Sequence, residues 1–213
     1  MRRMLPQHPD RLGVLLTPED GHRIWWPEGT AWACDNGCFN GLNAPAFLRM
    51  LAKLLASRRS PEWVTAPDCV ANAEETERLF NRWYPMMGEI GLPVAFVIQD
   101  GLERFKWRSF LRPNWHKIAA VFVGGSDAFK LGDVAMSLTR EAHEQGKRVH
   151  FGRVNSLRRI LYIARSCRDG RGWCDTIDGG SVVRWGDTNL PKMIRFVETA
   201  LRCKQKVMFG GNA

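Results

Sequence analysis

Short apolar runs rich in β-branched residues alternate with amphipathic stretches along most of the chain, and this alternation limits the fold more than any other feature. Parallel strands need a long crossover between them, usually a helix, so the pattern predicts βα units around a largely parallel sheet. Seven runs read as strands, at residues 12–17, 31–34, 63–66, 94–98, 118–123, 148–151 and 173–177, with 181–185 the best candidate for an eighth. Between them, apolar residues spaced three and four apart read as helices over 45–56, 73–87, 133–145, 157–165 and 191–203. In the first, Phe47, Met50, Leu51, Leu54 and Leu55 share a face, Asn43 can cap the start, and Pro45 falls where a missing N–H costs little. In the second, Leu79, Phe80, Trp83, Tyr84 and Met87 form the stripe to be buried, behind the acidic first turn Glu74-Glu75.

With 213 residues, such a series suits one domain: an α/β chain folded as a compact (β/α)8 TIM-type barrel, with room for an irregular or missing element. The domain is expected over 1–203, and 204–213, containing Gly210-Gly211, as a flexible tail. No uncharged apolar stretch reaches the roughly 18 residues of a membrane span, and the start Met1-Arg2-Arg3-Met4-Leu5-Pro6 lacks an apolar signal core. A soluble, non-secreted protein is expected. Lys and Arg outnumber Asp and Glu 31 to 22, a net charge of +9 that favours a polyanionic partner, although many basic proteins carry such charge only for solubility. Six cysteines are scattered without a second pair at zinc-finger spacing, so free thiols and no metal are expected.

Polar residues recur at the C-terminal ends of the strands, the ends that a barrel gathers on one rim. They are Asp35, Asp68, Gln99 with Asp100, Gly124-Gly125, Gly152-Arg153, and Asp175 with Asp178. Asp, Asn and Gly also follow strands simply because they make turns and caps, so each position alone has an ordinary reading. Asp35-Asn36-Gly37 is a strong turn signal, after which Phe39 would simply pack. Gly124-Gly125 would let a flat ligand or a phosphate approach the backbone, or make a flexible turn; no lysine follows at P-loop spacing, which disfavours a nucleotide triphosphatase. Asp175 and Asp178, three apart, would point to opposite sides of a continuing strand. Arg184-Trp185 joins a cation to an aromatic face; Arg58-Arg59, Arg104–Arg112 with Trp107 and Phe110, and Arg153–Arg159 mix basic with aromatic or apolar residues and read mostly as solvated faces. His116, His143 and His150 read as core or surface histidines.

In order, these motifs resemble those of the tRNA-guanine transglycosylases, and more closely their shorter relatives, many phage-encoded, that insert 7-deazaguanines into DNA. Asp35-Asn36-Gly37-Cys38-Phe39 is similar to the family's Asp-Ser-Gly-Gly-Phe, Ala66-Pro67-Asp68-Cys69 to the strand end bearing the guanine-reading aspartate, and Val97-Ile98-Gln99 to Ile-x-Gln-Gly. Val123-Gly124-Gly125-Ser126 resembles Ile-Gly-Gly-Leu, His150-Phe151-Gly152-Arg153-Val154 the Met-Gly-Val segment, and Asp175-Thr176-Ile177-Asp178 the Asp-x-Phe-Asp motif whose second aspartate is the nucleophile. The likeness spans residues 31–187. Asp100 stands where the family has glycine, so Gln99 or Asp100 could carry the amide's role, and the family's zinc module after the barrel is missing, which shifts the expected substrate from tRNA to DNA.

The resemblance implies a base exchange that replaces guanine in nucleic acid with a 7-deazaguanine such as 7-cyano-7-deazaguanine. Asp178 would attack the anomeric carbon to form a glycosyl ester, and Asp35 would act as general acid and then base, with the Asp175/Asp178 choice open if the motif register slips. Asp68 would accept from the guanine N–H groups, Gln99 and the Gly125 N–H would donate to its carbonyl, and Gly124, Gly152 and Asp175 would complete the base pocket. Arg153 and Arg184 are candidates for backbone phosphates. No cofactor is needed. The expected partners are nucleic acid, the free base and a helper protein opening the duplex, in the cytoplasm of a bacterium or a phage-infected host, with no membrane involved. Rival readings are a hydrolytic nucleoside or DNA glycosylase, a noncatalytic nucleic-acid-binding barrel, and a barrel enzyme acting on a small metabolite.

Overall fold

The computed structural model describes residues 5–8, 10–20, 27–57, 59–103, 107–179 and 186–205. Seven strands appear in it in chain order: β1 (Val14–Leu16), β2 (Trp32–Cys34), β3 (Val64–Thr65), β4 (Val94–Ile98), β5 (Ala120–Val123), β6 (Arg148–Phe151) and β7 (Thr176–Ile177). Each pairs in parallel with the next, giving one curled sheet of order β1-β2-β3-β4-β5-β6-β7, barrel-like but not a closed eightfold barrel. Closure is where the sequence expectation and the structure part. The eighth-strand candidate at 181–185 lies outside the described residues, and β7 has only two residues of ladder to offer a further strand.

Helices follow the strands: α1 (Ala44–Ala56), α2 (Ala73–Glu89), α3 (Trp107–Asn114), the single-turn α4 (Asp127–Lys130), α5 (Asp133–Glu144), α6 (Leu157–Arg168) and α7 (Gly186–Gln205). Their caps follow the chemistry of the sequence, since the Asn43 side chain accepts from the Ala46 N–H, Asn72 from Glu75 and Ser156 from Arg159. Phe47, Met50, Leu51 and Leu54 bury the inner face of α1, whereas Leu55, expected beside them, is 55% exposed. The stretch around Phe110 exposes Arg112 as a solvated basic face would, but it also has a buried apolar side. It forms α3, in which Phe110 and Leu111 are buried and the Phe110 ring lies 5.1 Å from Phe96 and 6.0 Å from Phe80. α7 begins five residues before Pro191 and carries that proline inside it, so the helix runs two residues into the expected tail.

Strand alternation sorts the core into two faces. Val94, Phe96, Ile98, Val121, Val123, Val149 and Phe151 pack against the helices. On the concave face Ala33, Trp63, Ala95 and Ala120 form a small inner cluster. Burying both faces explains why the strands read as continuous apolar runs rather than alternating ones. No helix among the described residues is long and apolar enough to cross a membrane.

Candidate active site

Pairing of Ile98 with Val123, Val123 with Phe151, and Phe151 with Ile177 fixes the register of β4 to β7. Backbone bonds continue one residue further, from Gly124 N–H to Ile98 O (2.9 Å), Gly152 N–H to Val123 O (3.0 Å) and Asp178 N–H to Phe151 O (3.1 Å). Gln99, Gly124, Gly152 and Asp178 therefore form one row at the strand ends. Because the preceding residue in each strand faces the helices, the row faces the concave side, as does Asp35, which follows the helix-facing Cys34.

In this cup the Asp178 carboxylate acts on Asp35. Burial pushes the Asp35 carboxyl up to about 7, and repulsion from Asp178, with a smaller contribution from Asp68, adds to the rise against the opposing N–H groups of Asn36 and Gly37. Asp178 is anchored through Oδ1, which accepts from the Arg153 N–H, while its Oδ2 has no hydrogen-bond partner among the described residues. Arg153 takes a positive φ of 60° to aim that amide, an uncommon conformation for a side-chain-bearing residue.

Asp68 is set by side chains from two neighbouring strand ends. Its Oδ1 accepts from Asn36 Nδ2 (2.8 Å) and its Oδ2 from Gln99 Nε2 (3.1 Å). Burial raises the Asp68 carboxyl against these two hydrogen bonds. Asn36 is itself buried; it also donates to Ala66 O (2.7 Å) and accepts from the Cys38 N–H (2.8 Å), tying the end of β2 to the end of β3. Gly37 follows at φ 70°, which lets the chain turn into a short 3-10 helix at Cys38–Asn40.

Gln99 is fully buried. Its Nε2 donates to Thr76 Oγ1 and to Asp68, and its Oε1 accepts from the Ala71 N–H (2.8 Å), so both amide hydrogens are committed inside the protein. A base-reading Gln99 is thus replaced by one that holds Asp68. Asp100 is also committed: its carboxylate accepts from the Ser126 N–H (2.7 Å) and hydroxyl. Burial alone would raise the Asp100 carboxyl, but the Ser126 bonds outweigh it and hold it below the usual range. Gly125 sits at φ 76°, where a side-chain-bearing residue is strained, and a Cβ there would also meet Asp100 Oδ2. At Gly152 a Cβ would meet the Phe122 ring at 2.5 and 2.8 Å, and the Gly152 carbonyl accepts from the buried Lys130 Nζ (3.1 Å).

Asp175 stands away from the cup. Its Oδ2 accepts from the Val149 N–H (2.8 Å) and its Oδ1 from Trp173 Nε1 (2.9 Å), which ties the start of β7 to β6 rather than lining a base pocket. Of the two aspartates, Asp178 is thus the one that faces the concave side. The Arg153 guanidinium lies 3.7 Å from the centre of the Phe39 ring, and Phe39 is 59% exposed instead of packed. Arg184 lies outside the described residues.

Asn36, Thr76, Ser126 and His150 were not singled out as site residues by their motifs. Asn36 sits inside a turn signal, Thr76 on the buried face of a helix whose apolar stripe hides it, and His150 within a strand. Burial raises the Cys34 and Cys38 thiols to about 12, which leaves them inert near neutral pH. Cys34, Cys38 and Cys69 are free thiols, and among the described residues no group of three His, Cys, Asp or Glu could hold a metal ion.

No protein-family model matches the chain, and no curated protein sequence matches it.

Proposed function

We propose that the chain is a base-exchange transglycosylase that replaces guanine in nucleic acid, DNA in preference to tRNA, with a 7-deazaguanine through an aspartyl-glycosyl ester. The observation that carries this reading is the pair Asp35 and Asp178, two carboxylates in one cup: burial, reinforced by the Asp178 charge, keeps a proton on Asp35 up to about pH 7. A protonated carboxyl and a second carboxylate on one concave face suit cleavage of a glycosidic bond through a covalent ester.

Asp178 Oδ2 attacks the anomeric carbon as the carbon–nitrogen bond breaks. The electron pair leaves with guanine, which takes the Asp35 proton. In the second half the incoming base loses a proton to Asp35, its nitrogen attacks the same carbon, and Asp178 departs as a carboxylate. Asp68, positioned by Asn36 and Gln99, keeps a second lone pair on each oxygen to accept from guanine N–H groups. Adenine would leave those acceptors unpaired, at a cost of about 1–3 kcal/mol each. A target base must leave its stack to reach such a cup. The net charge of +9 suits a phosphate-bearing polymer.

The test is exchange of labelled guanine into oligonucleotides, assayed alongside abasic-site formation. Label gained without abasic sites is the expected result. Abasic sites without label would instead make the protein a hydrolytic glycosylase.

A further inference from the structure

His150 lies one step below the strand-end row, on the same concave face as Asp178, and its ring is buried between two aromatic neighbours, 4.8 Å from Phe122 and 5.4 Å from Trp63. Its Nδ1 is 2.8 Å from Thr176 Oγ1. Its Nε2 is buried with no hydrogen-bond partner, and the polar atom it faces is Asp178 Oδ1, at 4.0 Å. Buried ring nitrogens are normally paired, so this orphan needs an occupant or a function.

We propose that His150 is a positioning residue for Asp178: Thr176 holds it as the neutral Nε2–H tautomer, and that N–H closes onto Asp178 Oδ1 when substrate fills the cup. The inference deepens the transglycosylase reading and rests on it. The tautomer follows from electrostatics. A lone pair on Nε2 would face a carboxylate oxygen and be repelled, so the hydrogen sits on Nε2 and the Thr176 hydroxyl donates to Nδ1. Asp178 is the charge that acts on this ring; Trp63 and Phe122 offer neutral faces and Thr176 a hydroxyl, while burial keeps the ring neutral.

A separation of 4.0 Å is too long for a hydrogen bond and needs about 1 Å of closure, the kind of tightening that free active sites undergo on binding. Oδ1 would then hold two donors, the Arg153 amide and His150, and Oδ2 is left to attack. Once Oδ2 is bonded to the sugar, Oδ1 is the ester carbonyl oxygen, and the same two donors steady the negative charge that returns when the ester breaks. His150 transfers no proton in either step.

Nitrogen-15 NMR of histidine-labelled protein tests the contact without turnover. The His150 signals should report the Nε2–H tautomer, and Asp178→Asn should lower the pH at which His150 titrates by removing the anion that favours its charged form. Kinetically, His150→Phe should slow covalent adduct formation on a guanine-containing oligonucleotide about 10- to 100-fold at unchanged oligonucleotide affinity. His150→Gln, which keeps an N–H near the Nε2 position, should recover most of that loss. A Nδ1–H tautomer, a titration indifferent to Asp178→Asn, or a folded His150→Phe as fast as wild type would overturn the proposal. If the NMR response holds but wild type modifies no oligonucleotide, the transglycosylase reading falls while the His150–Asp178 contact stands.

Discussion

Asn36 and Asp68, 32 residues apart in sequence, are joined by a 2.8 Å hydrogen bond from Nδ2 to Oδ1 across the ends of neighbouring strands. The same asparagine bonds Ala66 O and the Cys38 N–H, so one buried side chain fixes both the turn after β2 and the carboxylate after β3. Asn36→Leu should destabilise the fold by about 1–3 kcal/mol, because it strands the Cys38 N–H and the Ala66 carbonyl. Urea unfolding would measure the loss, and a change within about 0.5 kcal/mol of wild type would show that these bonds are replaceable.

The raised carboxyl of Asp35 gives stability a definite pH signature. The folded protein holds the proton to about pH 7 while an unfolded aspartate releases it near 4, so this contribution is complete below about 4 and is lost as pH rises to about 7. Within that window the loss runs at roughly 1.4 kcal/mol per pH unit at most. Asp68 is shifted the same way, and the lowered His150 acts in the opposite sense by costing stability as pH falls, so the comparison should be made against Asp35→Asn. The difference between the two proteins' urea stabilities should slope downward across the window, and parallel curves would contradict the shift.

Glycine at 152 is required by the Phe122 ring. Gly152→Ala should cost about 1–3 kcal/mol through overpacking, and Phe122→Leu in the same chain should return part of it. Strictly additive effects in a double-mutant cycle would show that the ring is not the obstacle.

Asp175 and Asp178 should separate cleanly. Asp175→Ala loses the bonds to Val149 N–H and Trp173 Nε1, so its melting temperature should drop by several degrees while some adduct formation persists in the folded fraction. Asp178→Ala should abolish adduct formation with a smaller thermal effect. Trapping of the ester by denaturation and mass spectrometry decides the assignment; an adduct on Asp175 would reverse it.

Much of this arrangement was legible in the sequence. The seven strands and the polar rim that carries Asp35 and Asp178 follow from apolar runs that each end in a polar residue, because parallel βα units put all such ends on one rim, although pattern alone leaves open which of Asp175 and Asp178 turns inward. Local pattern could not reveal commitment. Gln99 looks free to bind a base until Thr76, Asp68 and the Ala71 amide use up its amide group, and Thr76 comes from a helix whose visible signal was its apolar stripe. Asp100 looked like a rival reader until Ser126 claimed it. The helix at Trp107–Asn114 was hidden by arginines, since the hydrophobic face needed to pack on Phe96 is carried by only a few residues in a basic segment. Closure was overestimated, because a two-residue β7 does not announce its shortness in a run as apolar as 173–177.

The central claim is that Asp35 and Asp178 work on one sugar–base linkage. Its most direct test is mass spectrometry of nucleosides from DNA and from tRNA after incubation with 7-cyano-7-deazaguanine, comparing wild type with folded Asp178→Ala. The account predicts the deazaguanine nucleoside in DNA with wild type and none with the variant. Absence of a modified nucleoside from both polymers, in an assay that a known exchange enzyme passes, would contradict it.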